Sequence, residues 1–516
     1  MSDILAIDLG TTFITASWFN AGKPEILARF PSVVQFTSMG QIIIGEKALE
    51  RKIGNRENTI DCIKRLIGRT YKEIEKEVTK YTFGIIQENT SFFIDTFYSL
   101  QKPEEIASLL INDIKERAEK KTGTKFKKVV LTTPASSNSV QRLALKQASE
   151  KIGLKVLKII NEPTAATLAY IYANEIKSEK LAIYNFGGGM FDFSIIEFHK
   201  SSLRILSTYG DTQLGGWDLT GEMVNLIVSR FQAETGFKID LNQSLILKAE
   251  MNIVAEEAIH TLSYESFCNI NIQNVTRSER GEIIDLKIII YRSEFEKKIS
   301  PILKKTIGFI SSSITEAKLK INELSKIILV GGCTQIPLVK KTLEDFFYNS
   351  GSNHRTKALP LLMDVKNCLG KLYSPEEMVA FGAAIQAGIL SKEIINLNIK
   401  DIVTKSLGIA TYQDKFSAII KQGEILPVIK GNIYTTVNHY QRELEIEVLQ
   451  GGKTRASHNN LLGKFRLKDI ESAPAGSPKI LVNFSIDESG IFNVSAEDLK
   501  TKTRKEMLVE EAAWKI

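Results

Sequence analysis

Short runs of alternating apolar and polar residues, broken by glycine, occur twice in nearly the same form. Residues 5–17, LAIDLGTTFITAS, read as a strand, a turn at Gly10, Thr11 and Thr12, and a returning strand. Residues 181–196, LAIYNFGGGMFDFSII, repeat that design around Gly187, Gly188 and Gly189. A turn stripped of Cβ atoms can set its backbone N–H groups against a phosphate, because such concavities of N–H dipoles bind anions. Taken alone, a glycine-rich hairpin turn is as often free of any ligand. The repeat changes the reading. It predicts two similar lobes, each offering a phosphate-binding hairpin to a shared cleft. Asp8 ends its strand at the first turn, where it is placed to hold a hydrated Mg²⁺ beside those phosphates.

Around the hairpins, strands alternate with helices as far as about residue 390, an α/β pattern. Apolar spacing at Ile106, Leu109, Leu110, Ile114 and Ala118 predicts a helix over 106–122. KVVLTT at 128–133 reads as a buried strand stopped by Pro134, and 140–152 as a helix ended by Gly153. Another helix is expected over 245–262. From about Thr404 the period shortens to two. FSAIIKQ (416–422), GNIYTTV (431–437), LEIEVLQGG (444–452), KILVNFSID (479–487) and GIFNVSAED (490–498) are short strands between turn signals, which argues a β-sandwich.

The 516 residues allow several domains, and 25% charged with 43% hydrophobic residues describe an ordinary globular chain. The net charge of +7 raises nucleic acid as a partner, but Lys and Arg are scattered without a basic run or an aromatic-interleaved patch. Cys62, Cys268, Cys333 and Cys368 lie far apart with no CxxC, so neither a zinc site nor a disulfide framework is indicated. The N-terminus enters a strand at once, and no apolar run reaches ~18 residues. The expectation is a cytoplasmic protein with no nucleic-acid or membrane partner.

Further motifs recur in order along the chain: IDLGTT (7–12), IKRLIGR (63–69), IINEPTAATLAY (159–170), GGGMFDFS (187–194), GDTQLGG (210–216), ILVGGCTQIP (328–337) and GAAIQAGIL (382–390). SLGI (406–409), VLQGG (448–452) and IDESGIFNVSAED (486–498) follow. On these motifs the chain resembles the heat-shock-70 chaperones, within the actin and sugar-kinase ATPase superfamily. Actin and sugar kinases would not supply the last three motifs. The resemblance implies an α/β actin-like two-lobed ATPase domain followed by an all-β sandwich that binds substrate. The implied boundaries are 1–390 for the nucleotide-binding domain, 391–403 for a linker, 404–505 for the sandwich and 506–516 for a C-terminal stub in place of the family's helical lid.

The resemblance also implies ATP/ADP and Mg²⁺ as cofactors, with site residues carried over motif by motif. Lys64, Glu162, Asp192 and Thr12 take catalytic roles, and Asp8 holds the metal through water. Gly10, Thr11, Thr12, Gly187, Gly188, Gly189, Gly215, Gly216, Gly331 and Gly332 surround the phosphates, ribose and adenine, with Glu256 and Ser263 on the adenosine. Taken singly, a helical Lys or Glu is more often part of a solvated face. Ile409, Leu444 and Ile446 would line a peptide groove, with Tyr412 and Val437 arching over it; without the resemblance, such apolar residues simply fill a sandwich core. The implied partners are client polypeptides and a J-domain co-chaperone, which in the family meets an arginine where Lys158 stands. NTIDCIKRLIGR and the compact 81–96 segment lean toward the HscA-type branch, which serves iron–sulfur cluster assembly with a scaffold protein.

Departures from the family pattern cluster at the same motifs. Asn185 stands where an aspartate orients metal and water, and Met190 where a threonine lies beside the γ-phosphate. Trp217 replaces a glutamate, Ile259 and His260 replace a Lys and Arg that sandwich the adenine, and Cys333 and Gln335 replace a Ser and an Arg. Ser136 and Ser137 replace two aromatics in an interdomain segment that keeps Pro134 and Arg142. The linker keeps only Leu397, Ile399 and Asp401 of an apolar–acidic strand, so weaker docking is expected. These changes predict slow ATP hydrolysis, or a pseudo-chaperone that serves as an interaction scaffold.

Overall fold

The computed structural model describes residues 3–174, 178–199, 202–241, 244–278, 280–350, 361–364, 374–395 and 397–508. Each glycine hairpin forms the centre of its own sheet. In the first, Ile4–Leu9 and Phe13–Asn20 pair antiparallel, Lys23–Pro31 adds on one side, and Lys128–Thr133 and Lys155–Asn161 add in parallel on the other. In the second, Ser178–Phe186 and Phe191–His199 form the hairpin, Ser202–Asp211 lies on one side, and Lys326–Val330 and Leu361–Asp364 on the other. The two sheets thus have the same strand order, and the repeat in the sequence is a repeat of topology.

Two helices hold the lobes together. Glu162–Asn174 and Met378–Leu390 are apolar nearly all round, the pattern of a helix buried on every side. They pack in one core with residues from both sheets, including Ala6, Val130, Ile183 and Ile328. At their crossing a Cβ on Gly382 would fall 1.7 Å from the carbonyl oxygen of Ala165, so only glycine allows so close an approach. Separate cores fill the first lobe, around Ile7, Leu110 and Val129, and the second, around Phe193, Leu219 and Phe295.

Most sequence expectations hold within a turn. The first helix begins at Pro103 rather than 106, because proline fits the first helical position. The helix expected over 140–152 spans Ser139–Glu150, opened by the Asn138 side chain accepting from the Gln141 N–H. Lys128–Thr133 is a strand as expected, and the third helix is Leu245–Tyr264.

The β-sandwich packs Lys415–Ile420, Leu407–Thr411, Leu444–Gln450 and Asn460–Leu467 against Val428–Tyr434, Ile480–Ile486, Phe492–Asp498 and Arg504–Leu508. Strict alternation of buried and half-buried residues along Ile480–Ile486 shows the period-two pattern at work. The last strand runs across the boundary expected between 505 and 506, and residues 509–516 of the stub lie outside the described residues.

Residues 397–401 and the sandwich both dock on the two lobes. Asn398–Lys400 pairs in parallel with Ser202–Arg204 as a further strand of the second lobe's sheet, and Leu397 and Ile399 pack on the core between the lobes. Asp401 accepts hydrogen bonds from Asn161 Nδ2 and Thr164 Oγ1, each at 3.2 Å. The turn before Phe492 reaches the first lobe. There Ile159 N–H donates to Ser489 Oγ at 3.1 Å, while Arg142 donates to the Ser489 carbonyl and, at 2.5 Å, to Asn161 Oδ1. Leu143 of the first lobe sits in the sandwich core, and Ile491 of the sandwich sits in the first lobe's core. No helix among the described residues is long and apolar enough to cross a membrane.

Candidate functional site

The hairpin turns meet at the floor of the cleft between the lobes. A Cβ on Gly188 would lie 2.1 Å from Thr12 Oγ1, and one on Gly189 would lie 2.2 Å from Thr11 Oγ1. Absence of side chains on one turn is therefore what lets the other approach. Gly216 N–H donates to the Gly187 carbonyl at 3.0 Å and Trp217 N–H to the Gly188 carbonyl at 2.7 Å. Gly331 adopts φ +88°, and a Cβ there would lie 2.4 Å from the Phe186 carbonyl oxygen. The glycine pairs at 215–216 and 331–332 thus wall in the second turn, with Cys333 Sγ donating to the Gly187 carbonyl at 3.4 Å.

Behind the turns lies a buried charge cluster. Lys64 Nζ is 2.5 Å from Glu162 Oε1 and 3.9 Å from Asp8 Oδ1. Asp8 also accepts from the Thr132 hydroxyl at 2.5 Å. Glu162 opens its helix and turns its other oxygen to Asn185, whose Nδ2 donates at 2.8 Å. Asp192, directly across the hairpin from Asn185, accepts from the backbone N–H groups of Ala135 and Ser136 at 3.2 and 3.3 Å. Burial pushes Asp8 up to about 6 even with Lys64 opposing it, and pushes Asp192 up to about 7 with Glu162 adding to the effect. Burial works against the Lys64 ammonium, but Glu162 and Asp8 together hold its pKa above the ordinary lysine range.

Three buried carboxylates crowd around Lys64, with Arg29 acting on Asp8 and Arg142 and Lys405 on Asp192. The Ser136 side chain and backbone N–H both oppose the rise at Asp192. Carboxylates so close together fit a divalent cation that keeps its waters, with Asp8 the carboxylate nearest the turn of the first hairpin. Asn185 fits the cluster in its own way. An aspartate there would set a fourth carboxylate against Glu162, whereas the amide can donate.

Glu256, Ile259, His260 and Ser263 all lie on the helix Leu245–Tyr264. Glu256 reaches water, yet the surrounding walls keep it in a poorly solvated position, and that desolvation raises its carboxyl despite Lys52 nearby. Ser263 spends its hydroxyl on the Ile259 carbonyl of its own helix at 2.9 Å. Ile259 packs on the second lobe's core, His260 leans on Tyr264 with ring centres 5.5 Å apart, and Tyr264 OH donates to Gln335 Oε1 at 2.5 Å. Met190 is buried beside the glycine turn and adds no polar atom there. At the cleft wall, Arg29 of the first lobe pairs with Glu376 of the second and lies 4.0 Å from the Phe13 ring centre.

The structure brings Asp8, Lys64, Glu162 and Asp192 together with the turns at 10–12 and 187–189 and the glycine pairs at 215–216 and 331–332. The sandwich residues are split. Ile409 and Ile446, 4% and 2% exposed, belong to the sandwich core, and Leu444 packs partly against it. Tyr412 and Val437 are open, at 67% and 53%. Sequence reasoning did not single out Thr132, Asn161 or the Ala135–Ser136 N–H pair. The strand end at Thr133-Pro134 was the available signal, because a chain stopped there leaves free N–H groups just beyond.

Comparison with known proteins agrees with this geometry. The family described as Hsp70 protein matches residues 4–514. A protein named Chaperone protein DnaK, from Buchnera aphidicola subsp. Schizaphis graminum, is 33% identical over 523 residues, covering 99% of this chain and 79% of the relative. With the doubled sheet topology and the docked sandwich, these matches place the chain in the Hsp70 family of chaperones, as a two-lobed actin-like ATPase domain followed by a β-sandwich.

Proposed function

We propose that this chaperone binds ATP or ADP with Mg²⁺ in the glycine-walled cleft, hydrolyses ATP slowly, and holds extended client segments on its sandwich. Residues 1–390 would form the nucleotide-binding unit, 391–403 the linker and 404 onward the client-binding unit. The observation that carries the slow hydrolysis is Asn185 donating to Glu162 inside a buried carboxylate cluster.

Bound Mg²⁺ supplies positive charge against the phosphate oxygens. The chain's own groups do the rest. Lys64, held by Glu162, sets an ammonium at the inner end of the cleft. Asp192, anchored by two backbone N–H groups and with its pKa raised to about 7, is poised to accept a proton from water. Asn185 can orient water but cannot take its proton, and Met190 contributes no hydroxyl. Losing one such positioning group commonly slows a reaction by about 100–1,000-fold. The test is single-turnover hydrolysis by the Asn185→Asp/Met190→Thr double variant. Turnover at least about tenfold above the parent is expected, and turnover no faster than the parent would remove the account of slow chemistry.

A second reading drops hydrolysis and keeps an interaction scaffold. The base-side replacements favour it, since Ile259 is apolar and packed on the second lobe's core and His260 leans on Tyr264, where the resemblance puts a Lys and an Arg that sandwich the adenine. Nucleotide-dependent change in client release separates the two readings. A J-domain partner is proposed for the docked Arg142–Asn161–Asp401 region, where Lys158 is buried nearby. The 58–69 and 81–96 segments support an HscA-type role in which iron–sulfur clusters are reached through clients and a scaffold protein.

A further inference from the structure

Trp217 belongs to one lobe by chain and to the other by packing. It is the second residue of the helix Gly216–Thr235, whose Leu219, Met223, Ile227 and Phe231 fill the second lobe's core. The Trp217 indole packs instead on the core of the first lobe. There it stacks on Tyr81 with ring centres 5.0 Å apart and planes at 28°, and Tyr81 in turn leans on Phe83 at 5.0 Å. The Arg65 guanidinium lies 4.7 Å from the indole centre and the Lys80 ammonium 5.1 Å.

Arg65 is completely buried, and both lobes hold it. Glu77 of its own lobe binds it at 2.6 Å, while Asp218 and the Gln213 carbonyl of the other lobe bind it at 2.9 and 3.1 Å. The backbone of Trp217 meanwhile donates to Gly188 in the glycine turn. One residue therefore ties the second hairpin's turn to the body of the first lobe. Parting the lobes here exposes an aromatic stack, breaks a cation–π contact, and strips a buried guanidinium of one of its two carboxylates.

We propose that Trp217 is a positioning residue of the nucleotide site, a cross-lobe latch that keeps the cleft shut and sets the rate at which nucleotide leaves. The proposal rests on reading the cleft as a nucleotide site. Its strength comes from stacking and desolvation together, so a smaller ring keeps part of it and a methyl group keeps almost none.

The test uses the full chain loaded with a fluorescent ADP analogue and chased with excess ADP. Trp217→Ala is expected to release the analogue about tenfold faster, the rate change that about 1.4 kcal/mol of lost latch energy produces, with Trp217→Phe in between. Hydrogen exchange over 71–83 in nucleotide-free protein should rise in the same order. Release and exchange both unchanged in Trp217→Ala would overturn the latch. If the parent does not bind the analogue, the nucleotide reading fails by itself. Exchange over 71–83 then decides: graded loss of protection supports the cross-lobe latch, and parental protection in both variants overturns it.

Discussion

In the first hairpin Asp8 is the next-to-last residue of the leading strand and faces Thr15 across the ladder; in the second, Asn185 holds that place and faces Asp192. The same fold position carries a carboxylate in one lobe and an amide in the other, and the second lobe's charge sits on the returning strand. The surroundings explain why both are tolerated. Asp8 meets Thr132 and Lys64, so a negative charge has donors to meet. Asn185 meets Glu162, so a donor is what the site can use. A duplicated scaffold thus repeats positions without repeating their chemistry, and the partners across the cleft decide which group each position can carry.

The largest effect is expected at the unmatched carboxylate. Asp8→Asn makes the hairpins alike at this position and should slow single-turnover hydrolysis by about 100–1,000-fold, with nucleotide affinity losing its Mg²⁺ dependence. Adding Asn185→Asp to that variant moves the charge to the other lobe. Recovery to parental rate would mean that only net charge matters and would collapse the comparison.

Next in size is the lysine that serves the first hairpin. Lys64→Met leaves Asp8 and Glu162 buried without their cation, so it should cost about 3–5 kcal/mol, read from urea unfolding. A loss below about 1 kcal/mol would mean that the cluster is wetter than the geometry indicates.

The smallest and sharpest effect is a slope. Asp192 ionises near 7 in the folded chain against an ordinary value of 3.8, so folding takes up a proton between those limits. Its contribution to stability is present below the ordinary value and is lost as pH rises toward 7. Between about pH 5 and about pH 8 the nucleotide-free parent should therefore lose more stability than Asp192→Asn, measured as the shift in urea midpoint. Equal shifts would mean that the returning strand's carboxylate is not the strained one.

Much of this is legible in the sequence alone. Alternation and glycine marked both hairpins, Pro134 stopped its strand where expected, and the sandwich showed itself in runs such as Ile480–Ile486. Those features are local: a period and a breaker lie within ten residues of each other. Asn460–Leu467 and Arg504–Leu508 were not marked, because lysines and arginines interrupt their apolar runs and pairing partners supply the missing order. The helix Arg292–Glu316 even continues through Pro301, which a local rule would have used to end it. Contacts between lobes were least legible of all. Nothing near Trp217 in sequence announces Tyr81, and nothing near Asp192 announces the N–H groups of Ala135 and Ser136.

The linker strand has a consequence for kinetics. Among the described residues of this stretch, Asn398, Ile399 and Lys400 pair with the second lobe's sheet, and they do so at its edge. Edge pairing over so short a stretch can come undone without disturbing the rest of the sheet, and when the sandwich's contacts to Ile159 and Arg142 of the first lobe part as well, it stays tethered to the lobe it left. Its local concentration is then set by tether length, in the millimolar range for a short connection, and does not fall when the protein is diluted. Reattachment is a first-order event, so any cycle of release and return should run at the same pace in a crowded solution and in a sparse one.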